Sequence, residues 1–391
     1  MKLVRRTMVS LSLALTLALS SLAPAFAIPQ LLVDMQSGEV LYENEAGTPW
    51  HPASLTKLMT ALLAFDAIQS GQVSLSSPVI TSANALSVPP SKLGLPEGTA
   101  ITMQDALYAL IVKSANDIAV AIAETVGGTE ERFVQMMNAR AAEMGMTATH
   151  YVNPHGLHDP AQVTSARDLA ILALTIRARY PQYDAIFATE AVTHGGNTME
   201  SNNVLLSKFL GTDGMKTGYV CSSGLNIVAT AARNGRHLMA ITLGASSARE
   251  RGEMTAQMLF SGFAGGYRGT GNTIVTLANA PGIAPVDMRP RICGANASDY
   301  NEARMEEFPL GLEGELSYLT DDVTTRSYSL AVLGRLRNVP LPRPRPAGFP
   351  ATPTYALGGF DEALPAGDGS FVSLDGGSSG QTQLPPPRPQ F

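Results

Sequence analysis

Ser54 and Lys57 are the two residues whose types and spacing could carry out covalent chemistry. A serine hydroxyl is a weak nucleophile near neutral pH and needs a base within hydrogen-bonding distance. Three residues apart on a helix, the two side chains lie on one face, with about 5–6 Å between their Cβ atoms. Lys57 acts as a base only when neutral, which requires burial or a nearby positive charge. For an isolated pair, a serine N-cap followed by a solvated lysine is the alternative reading.

Ser114-Ala115-Asn116 places a hydroxyl and an amide at a polar break that follows the apolar run 110–112. In a cleft, such a hydroxyl can relay a proton and such an amide can hold a substrate amide. The alternative reading is an ordinary turn between two helices, with Asn116 as the N-cap. This motif therefore points to chemistry only in combination with the other motifs of the chain.

Lys216-Thr217-Gly218 opens a strand-like run that continues into Tyr219. The glycine lets a ligand backbone come close, the threonine offers a hydroxyl, and the lysine supplies positive potential for an anionic substrate end. An extended peptide can pair with such an edge by strand addition. If the motifs converge, Lys216 is also the positive neighbour that lowers the pKa of Lys57. The alternative reading is a solvated turn at the start of a strand.

The elements that must position these motifs are predicted for residues 28–266 from periodicity, turn and capping signals. Runs 31–34 and 39–42 form an opening hairpin, and the β-rich runs 225–231 and 237–243 flank an Asn234-Gly235 turn. Helices are predicted from Ser54, after Thr102, at 117–126, after Thr129, after Ser165 and near 253–260. Helices enclosed by strands predict an α+β domain: an antiparallel β-sheet flanked by helices, with a helical subdomain.

Residues 1–27 are predicted to be an export signal that is removed from the mature protein. They combine a basic start, an apolar run and an Ala25-Phe26-Ala27 cleavage site. The alternative, a membrane anchor, is disfavoured because the apolar run is short for a bilayer. The mature protein is therefore expected in the periplasm or cell envelope, and no clear membrane anchor is expected after cleavage. Arg5-Arg6 leaves the choice between general secretion and twin-arginine export open.

The C-terminal third of the chain is predicted to be irregular. The extension 267–340 contains short possible strands, such as 273–277 and 327–333, without clear periodicity. The tail 341–391 is rich in Pro, Gly and Ser, and we expect it to be disordered because it cannot bury enough apolar area. The sequence does not indicate the purpose of this tail.

Composition excludes several classes of function. The formal charge of −6 at pH 7 and the absence of basic runs argue against binding of nucleic acid. The two cysteines, Cys221 and Cys293, lack the spacing of a metal site. They form either one disulfide or two free buried thiols, and export to an oxidising compartment favours the disulfide. Such a bridge would tie the extension beside the strand of Lys216.

Together the motifs read S-x-x-K, S-x-N and K-T-G, the signature of serine enzymes that react with penicillin. Only six lysines occur in the chain, and two of them lie in these motifs, which argues against coincidence. At these residues the chain resembles the low-molecular-mass penicillin-binding proteins that act as D-alanyl-D-alanine carboxypeptidases. The resemblance extends from about residue 31 to residue 263. Its main matching segments are 52–60, 153–157, 164–170, 213–219 and the region from Arg251.

The resemblance implies a β-lactamase/transpeptidase-like fold and a role for each matching residue. Ser54 would be acylated by the terminal D-alanyl-D-alanine bond, Lys57 would be the general base, and Ser114 would relay a proton to the leaving D-alanine. Asn116 would bind the substrate backbone. The end of the substrate would be bound by Lys216, Thr217, Gly218 and Arg251. The backbone N–H groups of Ser54 and Tyr219 would form an oxyanion hole. Peptidoglycan stem peptides would be the substrate and β-lactams the inhibitors, and no metal or organic cofactor is implied.

Three other functions compete with this interpretation. A β-lactamase needs fast deacylation, and no carboxylate matches the glutamate that class A enzymes use for it. A D,D-endopeptidase of the same family is closer, although Arg251 favours a free C-terminus. A catalytically silent cell-wall-binding protein is disfavoured by the intact Ser54 and Lys57. The sequence leaves open the third residue of the stem peptide and the oligomeric state.

Overall fold

The structure is a computed structural model and describes residues 27–335. Almost all of the predicted export signal 1–27, the end of the extension and the whole predicted tail 341–391 lie outside the described residues. Between residues 27 and 335, none of the helices combines the length and apolar composition needed to cross a bilayer.

A five-stranded antiparallel sheet forms the centre of the fold, with the strand order β2-β1-β9-β8-β7. Its strands are β1 Gln30–Asp34, β2 Val40–Asn44, β7 Thr212–Val220, β8 Gly224–Arg233 and β9 Arg236–Ala245. The predicted hairpins are confirmed. Asn234 and Gly235 both have positive φ, 52° and 77°, as a tight hairpin turn with the twist of its strands requires. β7 is an edge strand, so one side of its backbone is free for another partner.

The sheet buries both faces, and each strand sends alternate side chains to opposite sides. Leu31 and Val33 join one apolar core with the helices of the N-terminal half. Leu32, between them in β1, joins a second core with Ala256 and Leu259 of the helix that follows β9. The sheet is therefore covered by helices on both faces, and the fold is α+β as the sequence predicts.

The helices occupy the region between β2 and β7 and the region after β9. They are α1 Lys57–Gln69, α2 Ala83–Ser87, α3 Met103–Tyr108, α4 Asn116–Gly127, α5 Glu130–Glu143, α6 Ala166–Arg179, α7 Asp184–Phe187, α8 Leu205–Lys208, α9 Ala248–Phe263, α10 Arg289–Ile292 and α11 Ala297–Glu307. The predicted caps are confirmed at Thr102, Thr129 and Ser165, whose hydroxyls accept backbone N–H groups at the starts of α3, α5 and α6.

Two small sheets tie the extension to the rest of the fold. One has the order β10-β5-β6, with β10 Ser327–Ser329, β5 Ala191–His194 and β6 Asn197–Glu200. The other has the order β11-β4-β3, with β11 Val332–Arg335, β4 Thr99–Thr102 and β3 Pro78–Ile80. The predicted strand 327–333 is thus found as two short strands.

The predicted strand 273–277 is wrong. Thr273 makes only an isolated bridge to Glu39, and the residues after it form a turn. The backbone N–H groups of Thr276 and Leu277 donate to the carbonyl oxygen of Thr273, and the hydroxyl of Thr276 accepts from the N–H of Thr273. Threonine side chains compete with a sheet ladder in this way, so the apolar residues alone misled the prediction.

Candidate active site

Ser54 and Lys57 meet where a short turn passes into α1. Ser54 lies in the 3₁₀ turn Ala53–Thr56, and Lys57 is the first residue of α1. Because residues three apart eclipse each other in a 3₁₀ helix, their side chains point the same way. The Nζ of Lys57 lies 3.0 Å from the Oγ of Ser54. The hydroxyl is partly exposed, whereas the lysine is completely buried.

The amine of Lys57 is held by two further oxygen atoms. It donates to Oδ1 of Asn116 at 2.8 Å and to the backbone oxygen of His155 at 2.6 Å. Burial lowers the pKa of Lys57 well below its ordinary value, and the positive charge of Lys216 lowers it further. The carboxylate of Asp117 acts in the opposite direction but is the smallest of the three causes. The environment therefore favours the neutral amine.

Ser114 and Asn116 lie between the π-helical turn Ala109–Lys113 and α4. Ser114 ends that turn in the left-handed region, with φ 61°, and its side chain is mostly buried. Asn116 begins α4. Besides accepting from Lys57, its amide nitrogen donates to the carbonyl of Pro89 at 2.9 Å. The predicted break between two helices is present, and it brings Asn116 into contact with Lys57.

The strand β7 runs beside the 3₁₀ turn. A Cβ added at Gly218 would lie 2.9 Å from the N of Ser54 and 3.0 Å from the O of Pro52. Only a glycine therefore allows β7 to approach the turn this closely. Lys216 is buried, and its Nζ donates to the carbonyl of Thr217 at 2.8 Å. Burial and the charge of Arg251 lower the pKa of Lys216 to about 7.

The backbone N–H groups of Ser54 and Tyr219 are the two donors predicted to form an oxyanion hole. The N–H of Ser54 itself belongs to the first turn of a helix, where such groups lack intrahelical partners. In β7, the N–H of Val220 donates to Oγ of Ser223 on the hairpin side. Because successive N–H groups of a strand point to opposite sides, the N–H of Tyr219 faces the free edge. Tyr219 follows Gly218, which packs against the N of Ser54, so the two donors lie on neighbouring segments, and their joint role as an oxyanion hole stays a prediction.

Arg251 lies in the first turn of α9 and is almost completely buried. Its Nη2 donates to the carbonyl of Asn202 at 2.5 Å. Within the part of the chain that the structure describes, its buried Nε has no hydrogen-bond partner. Burial lowers the pKa of Arg251 to about 10, and its charge reaches Lys216. The guanidinium thus has one donor left over near the K-T-G motif.

Cys221 and Cys293 form a disulfide, with their Cα atoms 5.7 Å apart. The phenol oxygen of Tyr219 lies 3.3 Å from the Sγ of Cys293. The bridge connects the turn after β7 to the residue after α10, so the extension lies beside the K-T-G strand.

His155, Gly156 and Asn226 are positioning residues whose roles sequence reasoning did not assign. The backbone oxygen of His155 holds Lys57, and Gly156 packs against the peptide bond that precedes Ser54. Burial is the main cause that lowers the pKa of His155 to about 3, so its imidazole is neutral. Asn226 in β8 donates to the carbonyl oxygens of His51 and Pro52 and so fixes the start of the turn to the sheet. The sequence did draw attention to the segment 153–157, because this segment matches the family that the chain resembles.

Metal chemistry has no candidate ligand set in this region. Among residues 27–335, no cluster of three or more His, Cys, Asp or Glu side chains is arranged to hold a metal ion. The groups around Ser54 are an amine, an amide, hydroxyls and a guanidinium.

The profile of the D-alanyl-D-alanine carboxypeptidase family, peptidase S11, matches residues 23–247, more than half of the chain. The chain belongs to this family. Among curated members, D-alanyl-D-alanine carboxypeptidase DacD of Escherichia coli is 34% identical over 236 residues, 59% of this chain and 61% of that protein. DacF of Bacillus subtilis is 33% identical over 234 residues, 59% of this chain and 60% of that protein. The chain thus spans about three fifths of the length of these relatives.

Solved structures of penicillin-binding proteins share the fold. Penicillin binding protein 5 from Haemophilus influenzae is 32% identical with a TM-score of 0.59, over 60% of this chain and 70% of that chain. Penicillin-binding protein D2 from Listeria monocytogenes, solved in a cefotaxime-bound form, is 28% identical with a TM-score of 0.55, over 61% of this chain and 99% of that chain. The family profile ends before Arg251 and Cys293, so those two residues lie outside the part that it matches.

Proposed function

We propose that this chain is a serine D-alanyl-D-alanine carboxypeptidase that removes the terminal D-alanine from peptidoglycan pentapeptide stems. The observation that carries the proposal is the arrangement around Lys57. A neutral amine has two N–H bonds and one lone pair, whereas a protonated amine has three N–H bonds and no lone pair. The carbonyl oxygens of Asn116 and His155 take two N–H bonds. The lone pair is then left for the hydroxyl of Ser54, 3.0 Å away.

In the acylation step, Lys57 takes the hydroxyl proton as Oγ of Ser54 attacks the carbonyl carbon of the penultimate D-alanine. The developing oxyanion is held by the N–H groups of Ser54 and Tyr219, which border the gap between the 3₁₀ turn and β7. Preorganised donors of this kind lower the barrier because they do not need to reorient during the reaction. The attack gives a tetrahedral intermediate on Ser54, with the proton on Lys57, and loss of the terminal D-alanine from this intermediate then leaves an ester on Ser54.

Departure of the terminal D-alanine requires a proton on its amine. Ser114 relays that proton from Lys57, and Asn116 holds the substrate backbone with the N–H bond that it does not use for Pro89. Water then attacks the ester, with Lys57 again as the base, and frees Ser54. A β-lactam follows the same acylation step, because its strained amide takes the place of the scissile bond.

The free carboxylate of the substrate is bound by Lys216, the hydroxyl of Thr217 and Arg251. The supporting observation is the buried guanidinium of Arg251, which keeps its Nε–H without a partner among the described residues. A buried donor without a partner is unfavourable, and a carboxylate would satisfy it. A requirement for a free C-terminus favours a carboxypeptidase over an endopeptidase that cuts cross-links.

The same proposal places the mature protein in the periplasm or cell envelope, after removal of residues 1–27. Its substrate is found there, and the Cys221–Cys293 disulfide fits an oxidising compartment. In that setting, trimming of stem peptides limits cross-linking and contributes to peptidoglycan maturation and cell shape.

Mass spectrometry of muropeptides incubated with the purified mature protein tests this function. Loss of a single alanine from pentapeptides is expected, and Ser54→Ala should abolish both this loss and labelling by a fluorescent penicillin. Cleavage of cross-linked dimers without trimming would indicate an endopeptidase. No reaction and no labelling of the wild-type protein would indicate a cell-wall-binding protein without catalysis.

A further inference from the structure

Residues 287–293, which we call the tethered segment, are fixed next to the K-T-G strand by two contacts and one buried side chain. The disulfide joins Cys293 to Cys221 at the turn after β7. The N–H of Met288 donates to the carbonyl of Ser222 at 3.0 Å, and the Met288 side chain is completely buried. The position of the segment is therefore determined by the same hairpin that carries Lys216 and Tyr219.

The hairpin turn that holds the tethered segment also contacts the loop that supports Ser54 and Lys57. The Oγ of Ser222 lies 2.7 Å from Nδ1 of His158, and the ring of His158 packs edge-on against that of His51. His158 follows directly on His155 and Gly156, which contact Lys57 and the 3₁₀ turn. The segment thus lies where the hairpin turn of β7 and the loop 155–158 come together, at one end of the gap beside Ser54.

The direction of a bound peptide follows from the proposed function. Its carboxylate lies at Lys216 and Thr217, and its scissile carbonyl lies at the N–H of Tyr219. Residues upstream of that carbonyl must then continue along the edge of β7, towards Cys221. At about 3.3 Å per residue of extended chain, the residue before the penultimate D-alanine reaches the disulfide and the tethered segment.

The tethered segment brings an excess of positive charge to this end of the gap. It contains Arg289 and Arg291 but only one acid, Asp287, which pairs with Arg289 at 3.2 Å. Both members of this pair are about half exposed, so it is weak and can exchange for another anion. The charge of Arg289 reaches His158 and lowers its pKa, after burial as the main cause, while Asp287 and Asp159 act in the opposite direction.

We propose that the tethered segment forms one wall of the subsite for the third residue of the stem peptide, and that Arg289 favours a third residue whose side chain ends in a carboxylate. This inference rests on the proposed function and adds its substrate preference. The wall is built from residues beyond the part that the family profile matches.

Two matched peptides ending in D-alanyl-D-alanine test the inference on the full mature protein. Their third residue is either diaminopimelate, which has a carboxylate at the far end of its side chain, or lysine, which has the same chain without it. The readout is the ratio of the two kcat/KM values, because damage to the shared catalytic groups cancels in a ratio. The wild-type protein should prefer the diaminopimelyl peptide.

Arg289→Gln should lower that ratio by about threefold to fivefold, the range of a half-exposed ion pair, mainly through KM. Arg289→Glu should lower it further, because it reverses the charge. Arg268→Gln is the matched control, since it removes an exposed arginine outside the segment and should leave the ratio unchanged.

One result would overturn the inference: a ratio that stays unchanged in both Arg289 variants, including the case in which kcat/KM falls equally for both peptides. Failure of the proposed function looks different. In that case the wild-type protein neither trims either peptide nor is labelled by penicillin, and no ratio can be measured.

Discussion

Gly156 packs directly against the carbonyl group of Ala53, on the residue before the nucleophile. A Cβ added at Gly156 would lie 1.9 Å from that oxygen and 3.0 Å from the N of Ser54. Both residues have positive φ, 89° at Gly156 and 49° at Ala53. The position of the Ser54 N–H therefore depends on a residue about a hundred positions away in the sequence, which has no side chain.

Gly156→Ala should impair acylation and lower stability together. The left-handed φ costs about 1–2 kcal/mol for an alanine, and the overlap with Ala53 adds a cost of about 1–3 kcal/mol. The overlapping atom is backbone, so relief requires a shift of the 3₁₀ turn that presents Ser54. Chemical denaturation measures the loss of stability, and the acylation rate with a fluorescent penicillin measures the displacement of Ser54.

Gly145→Ala separates these two effects. Gly145 also has a positive φ, 66°, but a Cβ there would meet nothing within 4 Å. The control should therefore show only the conformational cost and acylate at the normal rate. If Gly156→Ala behaved like Gly145→Ala in both measurements, the close contact with Ala53 would be irrelevant to the site.

Lys57→Met should reduce the acylation rate by a factor of about 10²–10⁴, the usual contribution of a general base. Methionine has a similar length but no amine, so no group is left to take the proton of Ser54. Stability should also fall, by about 1–3 kcal/mol, because the carbonyl oxygens of Asn116 and His155 lose a buried donor. Lys208→Met, at an exposed position at the end of α8, serves as the control. Normal labelling of the Lys57 variant would assign the base to another residue.

The value of kcat/KM should rise with pH on an acid limb and fall with pH on an alkaline limb. Lys57 must be neutral, so activity is lost as the pH falls through its lowered pKa. Lys216 must be charged to hold the substrate carboxylate, so activity is also lost as the pH rises through its pKa of about 7. Since kcat/KM reports the free enzyme, the alkaline limb should appear near that value.

Arg251→Gln should move the alkaline limb to higher pH. The charge of Arg251 contributes to the lowered pKa of Lys216, after burial, so its removal lets that pKa rise. Between the two limbs kcat/KM should fall, because a ligand of the carboxylate is lost. A pH profile with reduced height but an unmoved alkaline limb would assign that limb to a group other than Lys216.

The sequence predicted those parts of the site whose chemistry resides in side chains. Ser54, Lys57 and Asn116 meet as the motifs indicated. Gly218 packs against the turn that carries Ser54, and its contact with a ligand backbone stays a prediction. The oxygen of His155 could not be predicted from residue type, because every residue has a backbone carbonyl. Only the folded chain shows which of these carbonyls faces the amine of Lys57.

The extension was less predictable for a different reason. The helix α11 buries only Arg304, and it has no apolar stripe that would mark it in the sequence. Its attachment to α9 comes from charged groups and not from a periodic apolar face. Periodicity detects amphipathic helices, so a helix held by an ion pair escapes it.

That ion pair joins Glu250 in α9 to Arg304 in α11. The carboxylate of Glu250 is completely buried, and its Oε1 accepts from the Nε of Arg304 at 2.7 Å and also from its Nη2. Its other oxygen accepts from the N–H of Ser246 at 2.7 Å. Arg304→Met should therefore cost about 3–5 kcal/mol in unfolding free energy, because it leaves a buried carboxylate without its cation.

Glu250→Gln in the Arg304→Met background should restore part of that stability, since it removes the uncompensated charge while one amide oxygen can still accept from Ser246. Denaturant unfolding of both single variants and of the double variant gives the coupling energy. A loss below about 1 kcal/mol for Arg304→Met would mean that the pair behaves like an exposed ion pair.

Because Arg251 is the next residue after Glu250, a shift of this turn should also slow the trimming of stem peptides. A large coupling energy with unchanged trimming would mean that α11 stabilises the fold without positioning Arg251.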